Sequence, residues 1–146
     1  MDRKEFLKSC GFAAVGGVTL SSLLTGCGTA SHYATASYIN NRIVLKKSEF
    51  LVPKNAPTGH RSYVLTKTLK AGYPICIYRH GEDEFTALSL QCTHQGCELQ
   101  PADDYLVCPC HGSEFSNRGA VQQGPAETHL QQWKVTSDHD HIYLHL

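Results

Sequence analysis

The residues best equipped for chemistry in this 146-residue chain are its cysteines and histidines, seven and nine of them. Cys92, Cys97, Cys108 and Cys110 fall within nineteen residues, interleaved with His94 and His111. They form two short segments, Cys92-Thr93-His94-Gln95-Gly96-Cys97 and Cys108-Pro109-Cys110-His111-Gly112-Ser113, ten residues apart. Each segment offers one Cys and one His at short separation, so two loops can close on a metal from two sides. Thiolate sulfur favours iron–sulfur clusters or zinc, and imidazole accepts either. The residue types therefore leave three readings open: a cluster, a structural zinc held by two Cys and two His, or disulfides alone with the histidines merely polar. Gly96 and Gly112 allow tight loops where a side chain would collide with an inorganic core.

The two segments are similar to the paired cluster-binding loops of Rieske proteins, with Cys-x-His in the first and Cys-x-x-His in the second. Rieske clusters bind one iron through two Cys and the other through two His, which raises the potential above that of all-Cys ferredoxins. The resemblance implies one [2Fe–2S] cluster, with Cys92 and Cys108 on one iron and His94 and His111 on the other. It also implies a loop-bridging disulfide between Cys97 and Cys110, as in Rieske proteins of respiratory and photosynthetic complexes. A structural zinc would leave that pair unexplained. Ser113 stands where high-potential members place a serine that bonds a bridging sulfide. Phe115 stands where those members commonly carry a tyrosine that bonds a cysteine sulfur. Such bonds stabilise the reduced, more negative state, so Ser113 without a hydroxyl at 115 implies an intermediate potential. Gly124-Pro125 is similar to the family's proline-containing loop, which shields the cluster from a third side. Gln95 occupies a position that is usually Leu in quinol-oxidising members, which argues against direct quinol oxidation. The resemblance covers residues 42–146.

The elements that must position these loops are strands. Ile43 to Leu45, Ser62 to Thr66, Ile75 to Tyr78, Phe85 to Leu90, Tyr105 to Val107, Val121-Gln122, Trp133 to Val135 and Ile142 to Leu144 are short β segments, separated by turn residues. The stretch Val52 to Gly59, with two prolines, is a loop, and Gly81 to Glu84 is a polar turn. No window from 42 to 146 sustains a helical period. The expected fold class is all-β, an antiparallel Rieske-type sandwich or barrel with a loop-rich cluster-binding subdomain around 92–119. Cys76 lies in an apolar strand and is expected in the core. Trp133 is expected to pack under the sheet, and His139, His141 and His145 to be surface groups.

Residues 1–26 read as an export signal of lipoprotein type. Arg3, Lys4 and Lys8 open it, and Phe12 to Leu24 is uncharged. That run is shorter than the roughly 20 residues a spanning helix needs. Leu24-Thr25-Gly26-Cys27 resembles the bacterial lipobox, which implies lipid on Cys27. Asp2 to Lys8 resembles a twin-arginine signal with Lys4 in place of the second Arg. Residues 27–41, small and polar, are expected as a lipid-anchored flexible tether to a domain spanning 42–146.

The whole chain carries 13 basic and 13 acidic groups. Residues 1–26 hold Arg3, Lys4, Lys8, Asp2 and Glu5, so the remainder has 10 and 11. That balance supplies no field for a nucleic acid backbone. The expected function is one-electron transfer by an extracytoplasmic protein, anchored at the periplasmic face. It acts either as a carrier or as a small subunit of a respiratory oxidoreductase, with no catalytic site of its own. The partner is a cytochrome, a quinol-oxidising bc-type complex or a molybdenum enzyme. The chain has no room for the mononuclear iron domain of a Rieske oxygenase, and the leader and the second cysteine pair argue against the ferredoxin of such a system.

Overall fold

Short runs of β-branched and aromatic residues, each ended by a turn, become eleven strands within the residues that the computed structural model describes: 31–52, 59–67 and 72–146. In chain order they are β1 (Ala36–Ile39), β2 (Arg42–Lys46), β3 (Tyr63–Thr66), β4 (Ile75–Arg79), β5 (Phe85–Ser89), β6 (Gln100–Pro101), β7 (Tyr105–Val107), β8 (Glu114–Ser116), β9 (Val121–Gln123), β10 (Gln132–Ser137) and β11 (His141–His145). The one helical element among the described residues is a turn of 3-10 helix, Lys47–Phe50. No helix of the described residues is long and apolar enough to cross a membrane. The fold is all-β, as the sequence implies.

Seven strands form one sheet in the order β1-β2-β11-β10-β5-β4-β3, and β6-β7-β8-β9 form a second. Every pairing between named strands is antiparallel. Side-chain alternation divides the apolar residues between two cores. Ile75 and Ile77 of β4 join Ile43, Leu45, Val64, Ala87, Trp133, Ile142 and Leu144 in one. Cys76 and Tyr78, on the opposite face of β4, join Leu88, Leu90, Leu99, Leu106, Phe115 and Leu130 in the other. With both faces covered, β4 reads as a continuous apolar run, whereas β11 alternates buried and half-buried residues. Each fully buried Leu, Ile or Phe contributes roughly 1.5–3 kcal/mol relative to an exposed one. The second core is the one that matters for the site, because Cys92 and Cys108 belong to it.

The segment expected as tether differs from that expectation. Residues 36–39 are strand β1, paired along its length with β2 through Ala36↔Leu45 to Ile39↔Arg42. Asn40 and Asn41 make the connecting turn with φ of 50° and 60°, the left-handed conformation that a two-residue hairpin turn requires and Asn tolerates. Just ahead, Tyr33 bridges Leu65 of β3 in parallel. There the Ala34 N–H donates to Leu65 O (2.8 Å), and the Leu65 N–H donates to His32 O (2.8 Å). One continuous segment therefore bridges β3 at one margin of the seven-stranded sheet and forms the other margin itself, as β1 paired to β2. All four side chains of β1 are exposed, which is why the stretch looks like a linker: its bonds are made by backbone. The export signal 1–26 and the lipidation site Cys27 lie outside the described residues.

Candidate metal centre

Both Cys/His segments are tips of hairpins. The first is closed at its base by the Gln91↔Glu98 bridge and by the Leu99 N–H donating to Leu90 O (2.8 Å). The second joins β7 to β8, where Val107 faces Glu114. Inside each tip the same bonds recur. The Cys92 N–H donates to Cys97 O (2.9 Å) and the Gly96 N–H to Cys92 O (2.9 Å). The Cys108 N–H donates to Ser113 O (2.8 Å) and the Gly112 N–H to Cys108 O (3.0 Å). In each tip the fifth residue is a glycine at φ 76°, where a Cβ would cost roughly 1–2 kcal/mol. The two tips are thus near-copies of one another in backbone, although their sequences align poorly.

The tips bring all six Cys and His positions together. Cys92 and Cys108 are free and 2% exposed. Burial pushes the Cys92 thiol up, and donation to the Cys108 sulfur adds to this. Cys108 feels the same burial, but backbone N–H groups of Cys110 and His111 and the bond from Cys92 outweigh it and hold its thiol below the ordinary value. Backbone N–H groups of His94 and Gln95 point in the same way at the Cys92 sulfur. The imidazoles of His94 and His111 meet edge to face with ring centroids 4.9 Å apart and planes at 86°. Nδ1 of His94 is buried and has no hydrogen-bond partner, the single such side-chain atom among the described residues. Cys97 and Cys110 are joined as a disulfide with Cα atoms 6.5 Å apart, tying one tip to the other.

This donor set fits a cluster held by mixed ligands. Two buried sulfurs are each solvated by two N–H groups, an imidazole nitrogen is left without a protein partner, and glycines open the loops. The Sγ atoms of Cys97, Cys108 and Cys110 also lie within 4.8 Å of one another. Two of those sulfurs are bonded together and offer no thiolate, so that grouping records the disulfide lying beside Cys108.

The remaining expected residues surround the tips. Ser113 is fully buried, and its Oγ accepts the Ala126 N–H at 3.0 Å. Phe115 is fully buried on β8, in the same apolar cluster as Cys92 and Cys108. Gly124 and Pro125 are exposed at the end of β9. Their loop is stitched to both tips, through the Ala126–Ser113 bond and through the Thr93 hydroxyl, which donates to Thr128 O at 2.7 Å. Gln95 is exposed and, with Gln91, Thr93, His94, Thr128 and Gln131, lines an open groove of about 450 Å³.

Two contacts were not visible in the sequence: the Tyr73 hydroxyl donates to Gly96 O at 2.6 Å, and Gln123 Nε2 donates to Gly112 O at 3.1 Å. Tyr73 lies between Gly72 and Pro74, which signal a strand start, and nothing in its spacing ties it to residue 96. Away from the tips, Cys76 is buried with its thiol pushed up by burial, and Trp133 is buried in the first core. His139 and Asp140 are exposed at the β10–β11 turn.

Comparison with known proteins agrees with this geometry. The family model described as the Rieske [2Fe-2S] domain matches residues 52–134. The cytochrome b6-f complex iron-sulfur subunit of Trichodesmium erythraeum is 32% identical, over 89% of this chain and 76% of that one. That of Prochlorococcus marinus is also 32% identical, over 99% and 84%. The crystal structure of the cyanobacterial plasma membrane Rieske protein PetC3 from Synechocystis PCC 6803 superposes with a TM-score of 0.51 at 28% identity, covering 57% of this chain and 85% of that one.

Proposed function

The chain belongs to the Rieske [2Fe–2S] domain family, and on that premise we propose that Cys92 and Cys108 hold one iron of its cluster and His94 and His111 the other. One observation carries the assignment. Two buried free cysteines, hydrogen-bonded to each other, stand with two imidazoles in edge contact, one of which has a buried nitrogen without a partner. A bound Rieske cluster supplies a one-electron couple whose potential is raised by its imidazole ligands.

The chain's own residues do the rest. N–H groups of His94, Gln95, Cys110 and His111, aimed at the ligand sulfurs, favour the reduced, more negative state. Ser113 accepts the Ala126 N–H, which leaves its hydroxyl proton to be donated toward the cluster. Phe115 walls the site without a donor, which supports an intermediate potential. The disulfide holds the two tips at one separation, and the Gly124–Pro125 loop covers them from a third side. His111 is exposed, so its ring edge is the contact point at which an electron enters or leaves.

The protein acts as a Rieske electron-transfer component of a membrane redox complex. Relatives named as cytochrome b6-f subunits support a bc-type assembly. Gln95, polar and exposed where quinol-oxidising members carry Leu, favours a second reading, a carrier that receives electrons from another redox enzyme. The lipobox ending at Cys27 supports a lipid anchor at the outer face of the membrane.

Electron paramagnetic resonance of the dithionite-reduced protein tests the ligand assignment. Mixed Cys/His ligation gives a rhombic signal with an average g below that of all-Cys clusters. An all-Cys signal, or zinc in place of iron, would overturn it. Extraction from membranes in mild detergent separates the two roles: a subunit co-purifies with cytochromes, a carrier comes away alone. A Cys27→Ala chain that stayed as firmly in the membrane fraction would remove the lipid anchor.

A further inference from the structure

The residue that lets each tip turn is also the one at which it would most readily give way. Glycine has the widest backbone freedom of any residue, and Gly96 and Gly112 stand at the corresponding place in their tips, both at φ 76°. Their N–H groups are used inside the tip, on Cys92 O and Cys108 O. Their carbonyls are held from outside by side chains distant in sequence: Tyr73 Oη on Gly96 O at 2.6 Å, and Gln123 Nε2 on Gly112 O at 3.1 Å.

Each holding residue stands on firm ground. Tyr73 precedes Pro74, whose carbonyl accepts the Leu90 N–H at 3.0 Å just below the first tip. Gln123 ends β9 and faces Glu114 of β8, just beyond the second. We infer that Tyr73 and Gln123 are a matched pair of positioning residues, each pinning the glycine carbonyl of one tip so that the neighbouring backbone N–H groups stay aimed at Cys92 and Cys108. The inference rests on the ligand reading above and adds two residues outside both motifs.

The mechanism is geometric. Released at the Gly96 carbonyl, the first tip would shift as a loop and carry the N–H groups of His94 and Gln95 off the Cys92 sulfur. The same release at Gly112 would loosen those of Cys110 and His111 on Cys108. Either change weakens a bond that favours the reduced state, so the potential falls. It also loosens the donor set, so iron leaves sooner.

The test uses the full-length, cluster-loaded protein with Tyr73→Phe, Gln123→Met and the two combined. Tyr78→Phe is the control, since that hydroxyl is donated to Ala102 O (2.9 Å) and Tyr105 O (2.8 Å), away from both tips. Midpoint potential, the reduced-state paramagnetic spectrum and the rate of iron release to a chelator are read for each. Tyr73→Phe and Gln123→Met should each lower the potential, alter the g anisotropy and speed iron release roughly two- to tenfold, the range of one lost hydrogen bond. Tyr78→Phe should lower the thermal midpoint and leave potential and spectrum in place. A Tyr73→Phe chain that melts cooperatively with its disulfide intact but takes up no cluster also supports the inference. Potentials and spectra equal to wild type in both variants, whatever their melting temperatures, would overturn it. Should Tyr73→Phe not fold, Gln123→Met decides alone, because that side chain is exposed. A wild-type spectrum without mixed ligation would instead fail the ligand reading itself.

Discussion

Phe115 shows how much a single atom decides at this site. It is fully buried among the residues that also surround Cys92 and Cys108, so a hydroxyl added to its ring would have to find a partner inside that cluster. Phe115→Tyr should raise the midpoint potential by roughly 20–60 mV, the one-electron equivalent of a net hydrogen bond. A direct titration of the variant reads it, and an unchanged or lower value would show that position 115 does not tune the couple. At this scale the sequence was most informative where chemistry demands particular residue types. The six Cys and His positions stand out by spacing, and the pairing of Cys97 with Cys110 that the resemblance implied is present. Tyr73 and Gln123 were illegible for the opposite reason. A hydroxyl or amide bonded to a carbonyl has no type-specific signature, and only the folded chain brings 73 to 96 and 123 to 112.

Strands that alternation, an apolar run or flanking turn residues mark are legible: β2, β3, β4, β5, β7, β9, β10 and β11. Two-residue β6 has too few side chains to show a period, and β8 was hidden inside a stretch expected as loop. β1 was missed because its contribution is backbone pairing. A chain beginning at residue 42 should therefore melt lower and associate more than one beginning at 31, since it leaves β2 and β3 with bare edges. Calorimetry and gel filtration of the two chains check this, and equal behaviour would return 31–41 to the status of a linker. The β10–β11 turn carries a second prediction. Asp138 accepts the N–H groups of Asp140 (2.9 Å) and His141 (2.7 Å) and the Tyr143 hydroxyl (2.6 Å). The Tyr143 bond first, then the backbone ones, lower its carboxyl from the ordinary 3.8 to about 2. A group lowered in the fold stabilises it above the unfolded value and loses that contribution as pH falls from 3.8 toward 2. Asp138→Asn should flatten that part of the acid limb in a stability-versus-pH series. A limb of unchanged slope would mean that the turn does not feel the charge.

The molecule as a whole is close to neutral, with 10 basic and 11 acidic groups beyond residue 26, and the groove beside His94 is lined by amides and hydroxyls. Electrostatically steered pairs gain 10- to 1,000-fold in association rate and lose it with salt. Electron exchange with this protein's partner should instead change by less than about threefold between about 20 and 200 mM salt, measured by stopped flow. A steep salt dependence would place a charged docking patch elsewhere on the surface. The segment that spans both margins of the sheet has a mechanical consequence. Any pull transmitted from the residues ahead of Ser31 enters the domain at His32 and is taken up at once by β3, and then along the length of β2. Load applied in this way is shared among several backbone bonds, as in a lap joint, and is kept off the two Cys/His tips. Tension on the N-terminal end of the domain can therefore be borne without disturbing the spacing that the Cys97–Cys110 bridge sets between the two tips.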